Sequence, residues 1–207
     1  MTAKGPPSLE NPSRRRLTAG LTGTALTLGA RPVEARAPRT APPTSPPARP
    51  TEGDIPLLAF AEQIELTARD LYRVALDEGA AGDRDRVLLT GRDNHQAAAD
   101  SLSAILGIDG TGERDEALFE ELSGGFTTSD LPAVAEAGYA LESTAVATHI
   151  GLIGQLQGTA GANTIAAILM IESRMCTVLA DLQGLGDDDA ALFDNGAVAL
   201  VPPAAAG

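Results

Sequence analysis

Glu65, His95, Glu142 and Glu172 each stand in the middle of an otherwise apolar helical stripe. A helix buries its apolar face, so a lone charge there is costly unless another group neutralises it. Four such residues arriving from four separate segments point to one shared polar site. Carboxylates and an imidazole converging inside a bundle have the layout of a metal centre. Arg92, one turn before His95, lies on the same stripe and would bring a permanent cation to that interior.

The elements that must position these residues are legible as helical periodicities. The first stripe reads Ala61, Ile64, Glu65, Ala68, Leu71, Tyr72, Ala75, in steps of three and one, the spacing of one helix face. Asp54 before Ile55-Pro56 is the expected N-cap, and Gly79 the stop after about Glu78. The second helix is expected from near Asp83 to just before Gly107, with Leu88, Gly91, Arg92, His95, Ala98, Ala99, Leu102 and Leu106 inward. The third starts near Ser129 or Asp130 with Pro132 in its first turn, and carries Ala135, Gly138, Tyr139, Glu142, Ala145, His149 and Leu152. The fourth follows a break at Gly158–Gly161, carries Ile165, Ile168, Leu169, Glu172, Met175, Cys176 and Leu179, and ends at Gly184. Short loops make antiparallel neighbours. The segment from Gly107 to Thr128 is long enough to cross the bundle, so the second and third helices can run parallel, with a short helix around Glu113 to Leu122. No segment alternates as a strand does. The expectation is an all-α four-helix bundle over residues 54–184, with a tail, 185–207, packed outside it or loose.

Bundles that do redox or oxygen chemistry hold metal with a Glu from each of two helices and a Glu-x-x-His from each of the other two. Positions i and i+3 share a face, so both side chains of such a pair reach one ion. Here Glu65 and Glu142 fill the single-Glu roles. Arg92-Asp93-Asn94-His95 and Glu172-Ser173-Arg174-Met175 each keep half of the paired motif. On these residues the chain resembles the ferritin-like superfamily, specifically the exported ferritin-like domain proteins of bacteria. Ile55 to Glu65 is similar to the first helix of that family, and Tyr72 to the tyrosine that follows its first ligand. Ile168 to Met175 is similar to the fourth-helix segment, with Met175 where His is expected and Arg92 where a bridging Glu is expected. The resemblance implies a ferritin-like bundle with a long crossover between helices two and three, and Glu65, His95, Glu142 and Glu172 as ligands.

Charge decides how many ions such a site would hold. Three carboxylates and Arg92 sum to −2, which matches one divalent ion and argues against two. A carboxylate-rich cage with one imidazole suits Fe or Mn, with Zn as a further option. Tyr72, Arg92 and His149 would surround it, His149 lying two turns after Glu142 as Tyr72 does after Glu65. Whether His149 is an outer partner, an extra ligand or a packed core histidine stays open at this level. So does the choice between a mononuclear, oxygen- or peroxide-related metal protein and a metal-free bundle. In the second case Arg92 would close the core with carboxylates, and the protein would act as an envelope binding or structural module. Glu62, one turn before Glu65 but off the stripe, is expected on a solvated face, and Cys176 as a buried, inert thiol.

The opening 35 residues read as an export leader. Ser13-Arg14-Arg15-Arg16-Leu17 precedes a short, weakly apolar run to Ala30, in which Arg14 and Arg15 are the pair of a twin-arginine signal. The run is too short for a permanent membrane span. Residues 36–53, rich in Pro, read as a linker. Residues 1–35 carry five basic and two acidic side chains, so without them the net charge falls from −13 to −16. That argues against nucleic acid and anionic lipid as partners. A metal ion is the partner the residues name, and a homo-oligomer is compatible with the bundle. The single cysteine allows no internal disulfide.

Overall fold

The computed structural model describes residues 45–80 and 82–203, whose regular elements are all helices, with no strand among them. The Arg14–Arg15 leader and residues 36–44 of the expected linker lie outside the described residues. Four long helices carry the fold: α1 (Ile55–Asp77), α2 (Asp85–Leu106), α4 (Leu131–Ile153) and α5 (Thr159–Leu182). Two short ones, α3 (Glu116–Leu122) and α6 (Asp189–Phe193), lie on the crossover and on the tail. No helix among the described residues is long and apolar enough to cross a membrane.

The directions of the helices follow from two apolar clusters. One gathers Leu71 and Ala75 of α1, Leu88 of α2, Val134 and Ala135 of α4 and Leu179 of α5. The other gathers Leu58 and Ile64 of α1, Leu102 and Leu106 of α2, Leu152 of α4 and Ile165 of α5. The late half of α1 therefore sits with the early halves of α2 and α4 and the late half of α5. Helices α1 and α5 run one way, α2 and α4 the other, and the crossover between α2 and α4 spans the bundle, as the length of that segment predicts. Between the two clusters lies a layer of charged side chains.

Several local expectations need correction. The break between α4 and α5 falls at residues 154–158, so α5 begins one turn earlier than expected and Gly161 lies inside it. A Cβ at Gly161 would stand 3.1 Å from Leu58, which explains a small residue there. Asp54 makes no side-chain cap on its own helix. Its buried carboxylate instead accepts N–H bonds from Thr51, Gln157 and Gly158, each at 2.8 Å, and so ties the start of α1 to the α4–α5 loop. These bonds outweigh the cost of burial and hold its pKa below the ordinary carboxylate value. Gly158 is needed there, because a Cβ would meet the Arg49 carbonyl oxygen at 2.6 Å. The end of the proline-rich stretch is docked as well. The carbonyls of Pro47 and Ala48 accept from Thr159 and Ala160 N–H at 2.9 and 3.0 Å, two of the amides that a helix start leaves without an internal partner.

Glu62 is buried, not solvated. It accepts from the Ser103 hydroxyl, from Thr111 N–H at 2.6 Å and from the Thr111 hydroxyl at 3.0 Å. Burial raises its pKa, but these donors prevail and bring it below the usual value. Asp70, also buried, is met by Arg69 at 2.9 Å and by Arg114 at 3.1 Å. The Arg114–Asp70 ion pair pins the crossover to α1, and Arg114 also lies over the Phe119 ring, a cation–π contact within the crossover itself. The tail packs outside the bundle on α4. Ala191 accepts from the Tyr139 hydroxyl at 2.8 Å, Asn195 donates to the Ser143 carbonyl at 3.0 Å, and Leu200 N–H donates to Thr148 Oγ1 at 2.9 Å.

Candidate metal centre

The charged layer brings Glu65, His95, Glu142 and Glu172 together from α1, α2, α4 and α5, and all four are buried. His95 lies between two carboxylates, with Nδ1 2.7 Å from Glu65 Oε2 and Nε2 3.0 Å from Glu142 Oε1. The Tyr72 hydroxyl donates to the same Glu142 oxygen at 2.6 Å. His149, fully buried, belongs to the cluster too: Nδ1 meets Glu172 Oε2 at 2.8 Å and Nε2 stands 3.5 Å from Glu65 Oε1. Its position seven residues after Glu142, matching Tyr72 after Glu65, was the available sequence signal.

Arg92 is the exception. It is over a third exposed and turns outward to pair with Asp93 at 2.6 Å, so its guanidinium stays out of the core. The stripe placed it inward because it lies one turn from His95. A long, strongly solvated side chain at the edge of a stripe can instead snorkel to water. The expected −2 balance changes accordingly. Three carboxylates with neutral imidazoles carry −3, and either two imidazolium protons or one divalent ion reduces this to −1.

The ionisation of the layer follows from that imbalance. Burial opposes the charged form of His95, but Glu142 and Glu65 prevail and hold its pKa well above the ordinary imidazole value. His149 is raised for the same reason, burial being overcome by Glu172 and Glu65. Burial pushes Glu172 up to about 7 against the pull of His149. Burial and the Glu142 charge raise the Tyr72 phenol far above its usual value, so it keeps its proton. Cys176 is partly buried, 3.7 Å from the Ser143 hydroxyl, and burial pushes it up to about 11, as befits an unreactive thiol.

Whether a metal fits can be read from the atoms left over. Glu65 Oε1, Glu142 Oε2, Glu172 Oε1 and His149 Nε2 are buried and have no hydrogen-bond partner. Buried polar atoms without partners are uncommon and costly. Here four occur in one layer. One ligand atom each from Glu65, His95 and Glu172 lie within 4.8 Å of one another, close enough for a single ion. Glu142 stands to one side, its Oε1 shared by Tyr72 and His95. A pocket opens against these residues, walled by Ala98, Ile168, Ile171 and Met175. The Met175 thioether is a soft donor and belongs to this apolar wall.

A family model described as a ferritin-like domain matches residues 53–185, well over half of the chain. The chain belongs to the ferritin-like family. No curated protein and no solved structure matches it. The ferritin-like bundle therefore has its polar layer built by residues from all four long helices. Tyr72 is seated between Gly91, whose Cβ would stand 2.9 Å from its ring, and Gly138, whose Cβ would stand 3.3 Å from its hydroxyl. Its ring stacks on His95 at 5.6 Å. Two glycines and a tyrosine thus set the orientation of the imidazole.

Proposed function

We infer that this protein is an exported ferritin-like protein that binds a single transition metal ion, Fe or Mn, in its bundle core and works in oxygen- or peroxide-related oxidoreduction. The four unpartnered buried atoms of the polar layer carry this reading. A network built only to close the core would hydrogen-bond them, yet even Glu65 Oε1 and His149 Nε2, 3.5 Å apart, make no hydrogen bond; an ion bound among carboxylates would use them. Glu65, His95 and Glu172 would hold the ion, with Glu142 and His149 completing the charge around it. One divalent ion also offsets the layer's negative charge as well as two protons do. When bound, such an ion supplies one-electron redox and Lewis-acid chemistry. The chain's own residues orient and insulate it. Tyr72 and Glu142 fix His95, His149 fixes Glu172, and the apolar wall keeps bulk water from the layer. Export rests on the Arg14–Arg15 leader and the acidic charge of the remainder.

A metal-free module is the second reading. The observation in its favour is the close pairing of both His95 nitrogens with carboxylates. Two imidazolium ions would then do what Arg92 was expected to do. Elemental analysis of the full chain after anaerobic reconstitution with Fe(II), Mn(II) and Zn(II) in turn separates the two. One tightly held ion per chain, lost in a folded His95→Ala variant, supports the metal reading. No retained ion in a folded wild-type protein overturns it.

A further inference from the structure

The polar layer is not equally covered on its four sides. The α1–α4 seam is overlaid by α3 and by the tail, where Leu118, Leu122, Val198 and Leu200 line a shared apolar space. The α4–α5 seam is overlaid by α6 and the chain after it, through Ala191 to Asn195. The α1–α2 seam is bolted by Glu62 with Ser103 and by Arg69 with Gln96. Among the described residues nothing lies over the α2–α5 seam. There a surface groove is lined by Thr90, Asn94, Ile171, Arg174, Met175 and Val178. Asn94, Ile171 and Met175 also line the inner pocket that touches Glu65, His95, Glu142 and Glu172. These three side chains form a wall between the groove and the pocket against the polar layer.

We propose that this wall is the gate through which a small uncharged molecule, of the size of dioxygen or peroxide, reaches the polar layer. The make-up of the wall selects for that class. Ile171 and Met175 are apolar, and Met175 is unbranched and adaptable. Asn94 offers one neutral amide. Among the described residues no carboxylate lines the groove, although the chain has 28 acidic residues. Its one charged side chain, Arg174, repels a divalent cation. The metal would then be loaded by another route, and this seam serves the second reactant. The gate rests on the metal reading only for what the entering molecule meets.

Methyl relaxation by dissolved oxygen under pressure tests the gate without a metal or an activity. Ala98, Ile168 and Met175 line the inner pocket at 7%, 5% and 7% exposure, and Leu66 and Leu106, at 5% and 6%, are equally buried elsewhere. In the full chain the first three methyl groups should relax several-fold more strongly than the second two. Ile171→Trp, or Ile171→Phe if the tryptophan variant does not fold, should bring them down to the level of Leu66 and Leu106. Ile171 is 38% exposed, so the larger side chain has room to lie in the groove. Equal relaxation at all five positions in the wild-type protein would overturn the proposal, as would a pattern that the variant leaves unchanged. A chain that shows the pattern but holds no ion keeps the gate and loses the metal reading. One that holds an ion without the pattern does the reverse.

Discussion

Gly91→Ala sets two opposed effects against each other at the polar layer. In an ordinary helix interior, replacing Gly by Ala gains about 1 kcal/mol. At Gly91 the new methyl would stand 2.9, 3.0 and 3.1 Å from the Cε1, Cζ and Cδ1 atoms of Tyr72. The ring has little room to retreat. It is fully buried, stacked on His95, met edge-on by Phe126 at 5.8 Å and held by Glu142 at 2.6 Å, with Gly138 close on another side. Overpacking of this kind costs about 1–3 kcal/mol. A displaced ring also strains the Tyr72–Glu142 hydrogen bond, worth about 1 kcal/mol or more beside a charge. The clash should win, leaving the variant about 1–2 kcal/mol less stable than the wild type. Gly151 supplies the control. It is an exposed residue of α4 with nothing within 4 Å of its Cβ position, so Gly151→Ala should gain between a few tenths and about 1 kcal/mol. Urea unfolding followed by far-ultraviolet circular dichroism reads both. Tyr72→Phe should not rescue Gly91→Ala, since the crowded atoms are ring carbons. A Gly91→Ala protein as stable as Gly151→Ala would refute the packing argument and the seating of Tyr72 with it.

Other expectations follow from the same geometry. In the metal-free protein the raised pKa values of His95 and His149 give stability that is complete below about 6.5, the ordinary imidazole value, and is lost as pH rises through the folded values. Glu172, raised to about 7, acts in the same sense, so Tm should fall as the pH rises above about 6.5; a Tm that rises there would contradict the charge balance. Asp54, Glu62 and Asp70, all with lowered pKa, contribute stability above the ordinary carboxylate range and lose it as the pH drops through their folded values. Asp54→Ala strands three backbone N–H groups and should cost about 3–5 kcal/mol in urea unfolding, whereas Asp54→Asn, which keeps an acceptor, should cost less. Arg92→Ala should leave the metal content of the reconstituted protein unchanged, because its guanidinium faces solvent; a change in stoichiometry would return it to the core.

The sequence by itself determined the helices, their approximate ends, the crossover and four residues of the polar layer, Glu65, His95, Glu142 and Glu172. That is because a charge within a periodic apolar stripe has one direction to point, and local spacing fixes that direction. The same logic failed for Arg92, whose stem is long enough to leave the stripe for water, and for Glu62, whose partners Ser103 and Thr111 lie far along the chain. Asp54 looked like a local cap and is a long-range tie, since two of its three donors, Gln157 and Gly158, come from a loop far along the chain. His149 carried a spacing signal, but its place in the layer depends on α5 bringing Glu172 alongside it. Only the tertiary structure decided which seam stays uncovered and which polar atoms are left without partners. Both depend on how separate elements meet, and no periodicity within one segment records that.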